Sequence, residues 1–227
     1  MVALVALTAC SSGTATSAPS SGAVTPTPPS AATIAEKMRA AMTSKTSWKS
    51  SYAETGTLES SGAASPAAGP QNIILTNSWQ APDGRDTLLT DRGSGRVSRF
   101  ITIGSTLYSQ SPSPGGTWTK VAARPGTPLA PVAVDTGAMA EFSAAAIAAL
   151  PTARLGPDAA CGQAQCYVLR IAFDLAGGKA QTQLFVDKTS FLLAHSVRVI
   201  TYPDGKTLQD IGDFTDYGIP NDIKAPL

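Results

Sequence analysis

The chain has 227 residues, 17 Lys and Arg against 16 Asp and Glu, one His, three Cys, and a net charge of +1. So balanced a chain offers no electrostatic support for a nucleic-acid partner. No run beyond the N-terminus reaches the roughly 20 apolar residues that a membrane-spanning helix needs.

The N-terminus opens on an apolar run, Val2-Ala3-Leu4-Val5-Ala6, followed by Leu7-Thr8-Ala9-Cys10. An aliphatic residue, two small residues and a cysteine form the cleavage pattern of bacterial lipoproteins: the thiol takes a diacylglyceryl group, and small side chains pass the peptidase. Cys10 is therefore the expected lipid-attachment site and mature N-terminus, with residues 1–9 as signal peptide. The signal lacks the positive residues that usually open one, so it is expected to be incomplete at its N-terminus. A chance cysteine in an apolar N-terminus is the competing reading. Residues 10–32 follow as a Ser/Thr/Pro/Ala tether: from Ser11 to Thr33 there is no charged residue, and Val24 is the one sizeable aliphatic. Such a stretch buries too little apolar surface to offset its ordering entropy. The expected location is outside the cytoplasm, on the outer face of the cytoplasmic membrane, held by lipid.

Residues 33–227 have the length of one domain. Thr33-Ile34-Ala35-Glu36 has the spacing of a capping box, and Ile34, Met38 and Met42 then form an apolar stripe that predicts a helix ending near Ser44. Strands are predicted over Trp48–Glu59, Asn72–Gln80, Asp86–Asp91, Phe100–Ile103 and Thr106–Gln110. Gly104-Ser105 suits a two-residue hairpin with Gly first. A second helix is predicted from Thr136 to Leu150, with Met139, Phe142, Ala146 and Leu150 on one side, stopping at Pro151. Tyr167, Leu169, Ile171, Phe173 and Leu175 then alternate with a mixed set, the strongest strand signal in the chain. Ala180–Asp187, Phe191–Tyr202 and Lys206–Tyr217 complete a meander. The expected fold is α+β: a curved antiparallel sheet with helices on its concave face.

With Cys10 assigned to lipid, Cys161 and Cys166 remain, and in an exported protein they are expected to form a disulfide closing a tight loop. Zinc is the competing reading, but a structural site wants four Cys or His ligands. His195 shares a strand face with Leu193, Val197 and Val199 and reads as a hydrogen-bonded core or rim residue. The acids Asp83, Asp86, Asp91, Asp204, Asp210, Asp213 and Asp216 read mostly as turn residues bonding their own backbone. No nucleophile elbow, zinc pair or phosphate-cradling glycine loop occurs. Neither an enzyme, a metal nor a cofactor is expected.

The order of lipobox, tether, helix, long strands, second helix and meander resembles the LolA-like superfamily, especially the actinobacterial LprG and LppX type of lipoprotein. The local texts are Gly104-Ser105-Thr106-Leu107-Tyr108 before Trp118, then Phe185-Val186-Asp187-Lys188-Thr189, and Asp213-Phe214-Thr215-Asp216-Tyr217-Gly218 with Ile223-Lys224-Ala225-Pro226. The resemblance implies an unclosed barrel enclosing an apolar cavity for acyl chains, used to carry lipids, glycolipids or lipidated proteins through the envelope. Met38, Met42, Met139 and Phe142 are then the helix residues expected over that cavity, because flexible thioethers suit variable acyl surfaces. Leu169, Ile171 and Phe173 are expected on its sheet side. Plain core packing competes for all seven. The alternative function is a non-transporting sensor or interaction lipoprotein whose sheet binds another envelope protein.

Overall fold

A computed structural model describes residues 28–58, 69–81, 84–111, 116–122, 138–139, 142–175 and 177–226. Cys10, the signal, most of the tether and Asp83 lie outside the described residues. The elements are α1 (Ala31–Thr43), β1 (Ser47–Leu58), β2 (Gly69–Gln80), β3 (Gly84–Asp91), β4 (Val97–Ile103), β5 (Thr106–Gln110), β6 (Trp118–Ala122), α2 (Ala144–Ala149), β7 (Arg154–Leu155), β8 (Ala159–Cys161), β9 (Ala164–Leu175), β10 (Gly178–Asp187), β11 (Leu193–Thr201) and β12 (Thr207–Thr215). They form a curled, unclosed 12-stranded sheet in the order β6-β5-β4-β3-β2-β1-β12-β11-β10-β9-β7, with β8 paired to β9. The curved antiparallel sheet expected from the alternation is thus present, with α1 and α2 packed on one face.

Helix α1 starts earlier than the capping-box spacing suggests. Ser30 has extended backbone, and its hydroxyl accepts the Thr33 N–H at 3.2 Å, so Ser30 is the N-cap and Thr33 is already helical. The helix ends at Thr43. Its stripe of Ile34, Ala35, Met38 and Met42 is buried, and Glu36, Lys37 and Arg39 are exposed. The second helix is much shorter than Thr136–Leu150. Ser143 is extended and accepts the Ala146 N–H, which starts a new helix there and confines α2 to six residues. Pro151 does not stop the chain turning: it sits in the first turn of a 3-10 segment, Leu150–Thr152, where its missing N–H costs nothing. The short strands β6, β7 and β8 lack enough alternation to be read from sequence.

The Gly104-Ser105 hairpin is present, with Gly104 at φ +57°. In β10–β11, Phe185 faces His195 but Val186 faces Leu193, which leaves Ala194 as an extra residue. This bulge corrects the sequence reading: Leu193 is buried in the core, while His195 turns to the outer face with Val197 and Val199. There His195 Nδ1 lies 2.7 Å from Asp213 Oδ1, and its ring packs edge-on against Phe185. The strand expected from Phe191 begins at Leu193, because the Asp187 carboxylate accepts the Thr189 and Ser190 N–H groups and Phe191 takes φ +57°. Cys161 and Cys166 form the expected disulfide between β8 and β9, and Cys166 is fully buried.

The main core joins α1, α2 and the sheet through Ile34, Met38, Met42, Trp48, Trp79, Met139, Leu169, Leu184, Val186, Leu193 and Phe214. Fully burying each such side chain contributes roughly 1.5–3 kcal/mol. The C-terminal text is structural. The Tyr217 hydroxyl donates to Leu193 O at 2.8 Å, the Gly218 N–H to Ser47 O at 2.8 Å, and Asn221 Nδ2 to Trp48 O and Trp79 O. At the other end of β1, Gly56 faces Leu208 of β12; its φ is +126°, and an added Cβ would lie 2.3 Å from Thr207 O. Gly56→Ala should therefore lower stability by about 3 kcal/mol, read as an earlier urea midpoint. An unchanged midpoint would show that β1 and β12 pair loosely at this end.

Candidate functional site

The strand registers bring four residues into one line across the concave face. Thr182 on β10 faces Arg198 on β11, Arg198 faces Asp210 on β12, and Asp210 faces Glu54 on β1. Directly opposed residues on neighbouring strands stand about 5 Å apart, so the four side chains form a continuous polar row. Apolar rows flank it. On one side lie Leu184, Tyr52 and Leu75, and on the other Phe173, Ala180, Ile200 and Leu208. The polar row is the reason the buried apolar residues fall into two clusters, the main core and a smaller group of Ala180, Ile200, Tyr202 and Leu208.

Over the row lies a cleft of about 220 Å³, walled by Tyr52, Leu75, Phe142, Ala146, Phe173, Leu184 and Phe214 and floored by Glu54, Thr182, Ser196, Arg198 and Asp210, with Asn77 and Arg85 at one end. Phe142 reaches it because its N–H closes a turn onto Met139 O, and Ser143 then caps α2 so that Ala146 faces the sheet. Alanine at that position keeps α2 close without filling the space.

The floor is ionic and incompletely satisfied. Arg198 Nη2 donates to Asp210 Oδ2, and the Asp210 side chain is 8% exposed. Asp210 Oδ1, Arg198 Nε and Thr182 Oγ1 are buried without a hydrogen-bond partner among the described residues. Buried polar atoms left this way are costly. Arg85, by contrast, is engaged: it donates twice to Asn77 Oδ1 and stacks 4.4 Å above Trp79. Asn77 in turn donates to Ser50 and accepts from Thr87. Burial raises the Asp210 carboxyl above its ordinary range, against the pull of Arg198. Burial also raises Glu54, helped by repulsion from Asp210 and opposed by Arg198.

Of the seven residues expected to bind ligand, Phe142 and Phe173 line this cleft. Met38, Met42, Met139 and Leu169 are closed inside the core at 0% exposure, and Ile171 is 4% exposed. Most of the acids expected in turns are surface groups: Asp86 pairs with Arg99, Asp204 with Lys206, Asp213 with His195 and Asp216 with Lys49, while Asp91 caps its own turn. Asp210 is the exception, and it is joined by Glu54 and Arg198, which no sequence motif marks. A signal existed: Leu208, Asp210, Gly212 and Phe214 alternate on one face, so a charge sits among core positions. A second, wider groove touches Arg154, Arg170, Gln181 and Gln183, but those side chains are all exposed and solvated. Among the described residues no group of three His, Cys, Asp or Glu is placed to hold a metal ion, and no helix is long and apolar enough to cross a membrane.

No protein-family model matches the sequence, and no curated protein matches it significantly. Among solved structures, the chain is similar to a LolA superfamily protein from Nitrosomonas europaea, with 13% identity, a TM-score of 0.34, and coverage of 86% of this chain and 95% of that one. It is similar also to a DUF1329 family protein from Desulfovibrio piger, with 8% identity, a TM-score of 0.30, and coverage of 85% and 93%. A third is a chain of the MucA/MucB complex of Pseudomonas aeruginosa, with 11% identity, a TM-score of 0.39, and coverage of 85% and 59%.

The raised carboxyls have a stability consequence. Where the folded state holds a carboxyl above its unfolded range, the native protein binds the proton more tightly. The cost of ionising it is then carried in full above the folded range and relieved as pH falls through it. Glu54 has no ion-pair partner of its own in the row, so Glu54→Gln should raise Tm near neutral pH by about 2 °C. The gain should vanish in mild acid, as followed by thermal melts across pH. A gain independent of pH, or a loss at neutral pH, would contradict this.

Proposed function

We propose that this chain is an exported, LolA-like envelope lipoprotein, anchored through Cys10, whose domain reversibly binds a hydrophobic molecule and performs no covalent chemistry. The observation that carries the reading is the cleft itself: aromatic and aliphatic walls from α2, the turn before it and five strands, closing over a buried polar floor with open hydrogen-bonding valences. Ligand sites are characteristically concave, mostly apolar and set with a few convergent polar groups. At about 220 Å³ the cleft lies below the roughly 300–1,000 Å³ of pockets for drug-sized ligands. It therefore fits one short chain, or the end of a longer one, and the ligand is a single-chain amphiphile and not a multi-acyl lipid taken up whole.

Two further features support a binding role. Ser143, Thr182 and Ser196 bring hydroxyls to the cleft, but the chain's one histidine is on the opposite face of the sheet, so no imidazole stands beside them to form a Ser–His pair. The lipobox and the uncharged stretch after it would hold the domain near a membrane, where amphiphiles are abundant.

The test is a fluorescence titration with N-phenyl-1-naphthylamine, a neutral apolar probe. Wild type should bind it saturably, and Ala146→Phe, which fills the cleft from α2, should weaken binding about tenfold while keeping the wild-type melting curve. Equal binding by both proteins would place the probe elsewhere and refute the cleft as the site. A reproducible crosslink to one envelope protein with no probe bound would favour the interaction-lipoprotein alternative.

A further inference from the structure

Resting on the reading of the cleft as an amphiphile site, we infer that Thr182, Arg198 and Asp210 form a head-group subsite that accepts a neutral, hydroxyl-bearing group and discriminates against anionic amphiphiles. Asp210 Oδ1 can only accept while ionised, Arg198 Nε can only donate, and Thr182 Oγ1 can do either. The three residues are consecutive partners across β10, β11 and β12, and all three line the cleft floor. A hydroxyl group is both donor and acceptor. One such group can donate to Asp210 Oδ1 and accept from Arg198 Nε, and a second on the neighbouring carbon can meet Thr182.

Charge decides what kind of head fits. Two arginines and two carboxylic acids line the cleft. Arg198 is already bonded to Asp210, and Arg85 lies on Trp79 with its donors on Asn77. An incoming carboxylate or phosphate would find the Arg198 charge already paired with Asp210, and it would stand beside Asp210 and Glu54, whose like charge is poorly screened in so buried a place. An alkylammonium head would satisfy Asp210 Oδ1 but would face the Arg198 guanidinium and leave its Nε–H without an acceptor. A neutral hydroxyl head is the one class that satisfies the floor without adding charge.

The probes are three ten-carbon amphiphiles used below their micelle concentrations: 1-decanoylglycerol, decanoate and decyltrimethylammonium. Binding to the full chain would be followed by calorimetry at neutral pH. The account expects 1-decanoylglycerol to bind about tenfold tighter than either charged probe. Thr182→Val removes an unpartnered hydroxyl without changing side-chain shape, so the protein should fold as well as wild type while losing about fivefold in affinity for 1-decanoylglycerol and nothing for decanoate. Asp210→Asn should narrow the preference over decanoate; where it fails to fold, the Thr182→Val result decides. Decanoate or decyltrimethylammonium binding as tightly as the neutral probe would overturn the head-group inference while leaving the cleft as a site. Failure of all three to bind would overturn the cleft reading and this inference together.

Discussion

Strand β1 pairs with strand β12 from Lys49 opposite Thr215 to Gly56 opposite Leu208, and this pairing of the first strand with the last makes one sheet of two meanders. Without it each half would expose a strand edge through the middle of the molecule. It is also the most non-local pairing in the fold, and loop closure over such a separation carries an entropic cost that grows with the logarithm of length. The contacts that offset it gather at the same seam. Trp48 and Trp79 stack at 5.0 Å, Phe214 meets Tyr52 edge-on, and Asn221 and Tyr217 tie the chain end to β1, β2 and β11.

The same pairing creates the site. It sets Asp210 beside Glu54 and extends a row that begins at Thr182, so a line of charged and hydroxyl side chains crosses the face between apolar rows. Such a row splits the core into two clusters and leaves polar atoms without partners, and both effects work against stability. A stretch of apolar residues in those positions would pack more tightly. Features of a fold that weaken it and converge in a cleft are the ones a ligand can compensate, and the positions of Phe142 and Phe173 over the row give that ligand an apolar side as well.

Much of the architecture was legible in the sequence because it depends on local periodicity. The alternation from Tyr167 to Leu175, the Gly104-Ser105 hairpin, the α1 stripe and the Cys161–Cys166 loop each follow from neighbours within a few residues. What escaped the sequence depends on register or on competition between caps. One extra residue at Ala194 moves His195 away from the face of Leu193. Ser143 interrupts a pattern of Met139, Phe142, Ala146 and Leu150 that would otherwise support a four-turn helix. The polar row is visible only once four strands are aligned, since Glu54, Thr182, Arg198 and Asp210 lie far apart in the chain. Met38 and Met42 illustrate the converse: an apolar stripe marks a buried helix face, but not whether that face meets a cavity or a packed core.

The central claim is that the cleft over the Thr182–Arg198–Asp210–Glu54 row holds a single-chain amphiphile. A crystal structure of the protein grown with 10-bromodecan-1-ol tests it most directly, because the bromine marks the apolar end by anomalous scattering and the hydroxyl marks the other. The account predicts a bromine peak among Phe142, Phe173 and Leu184, with the hydroxyl within hydrogen-bond distance of Asp210 Oδ1. A bromine peak on the outer face beside Phe185, Val197 and Val199, with protein side chains closed over the polar row, would contradict it.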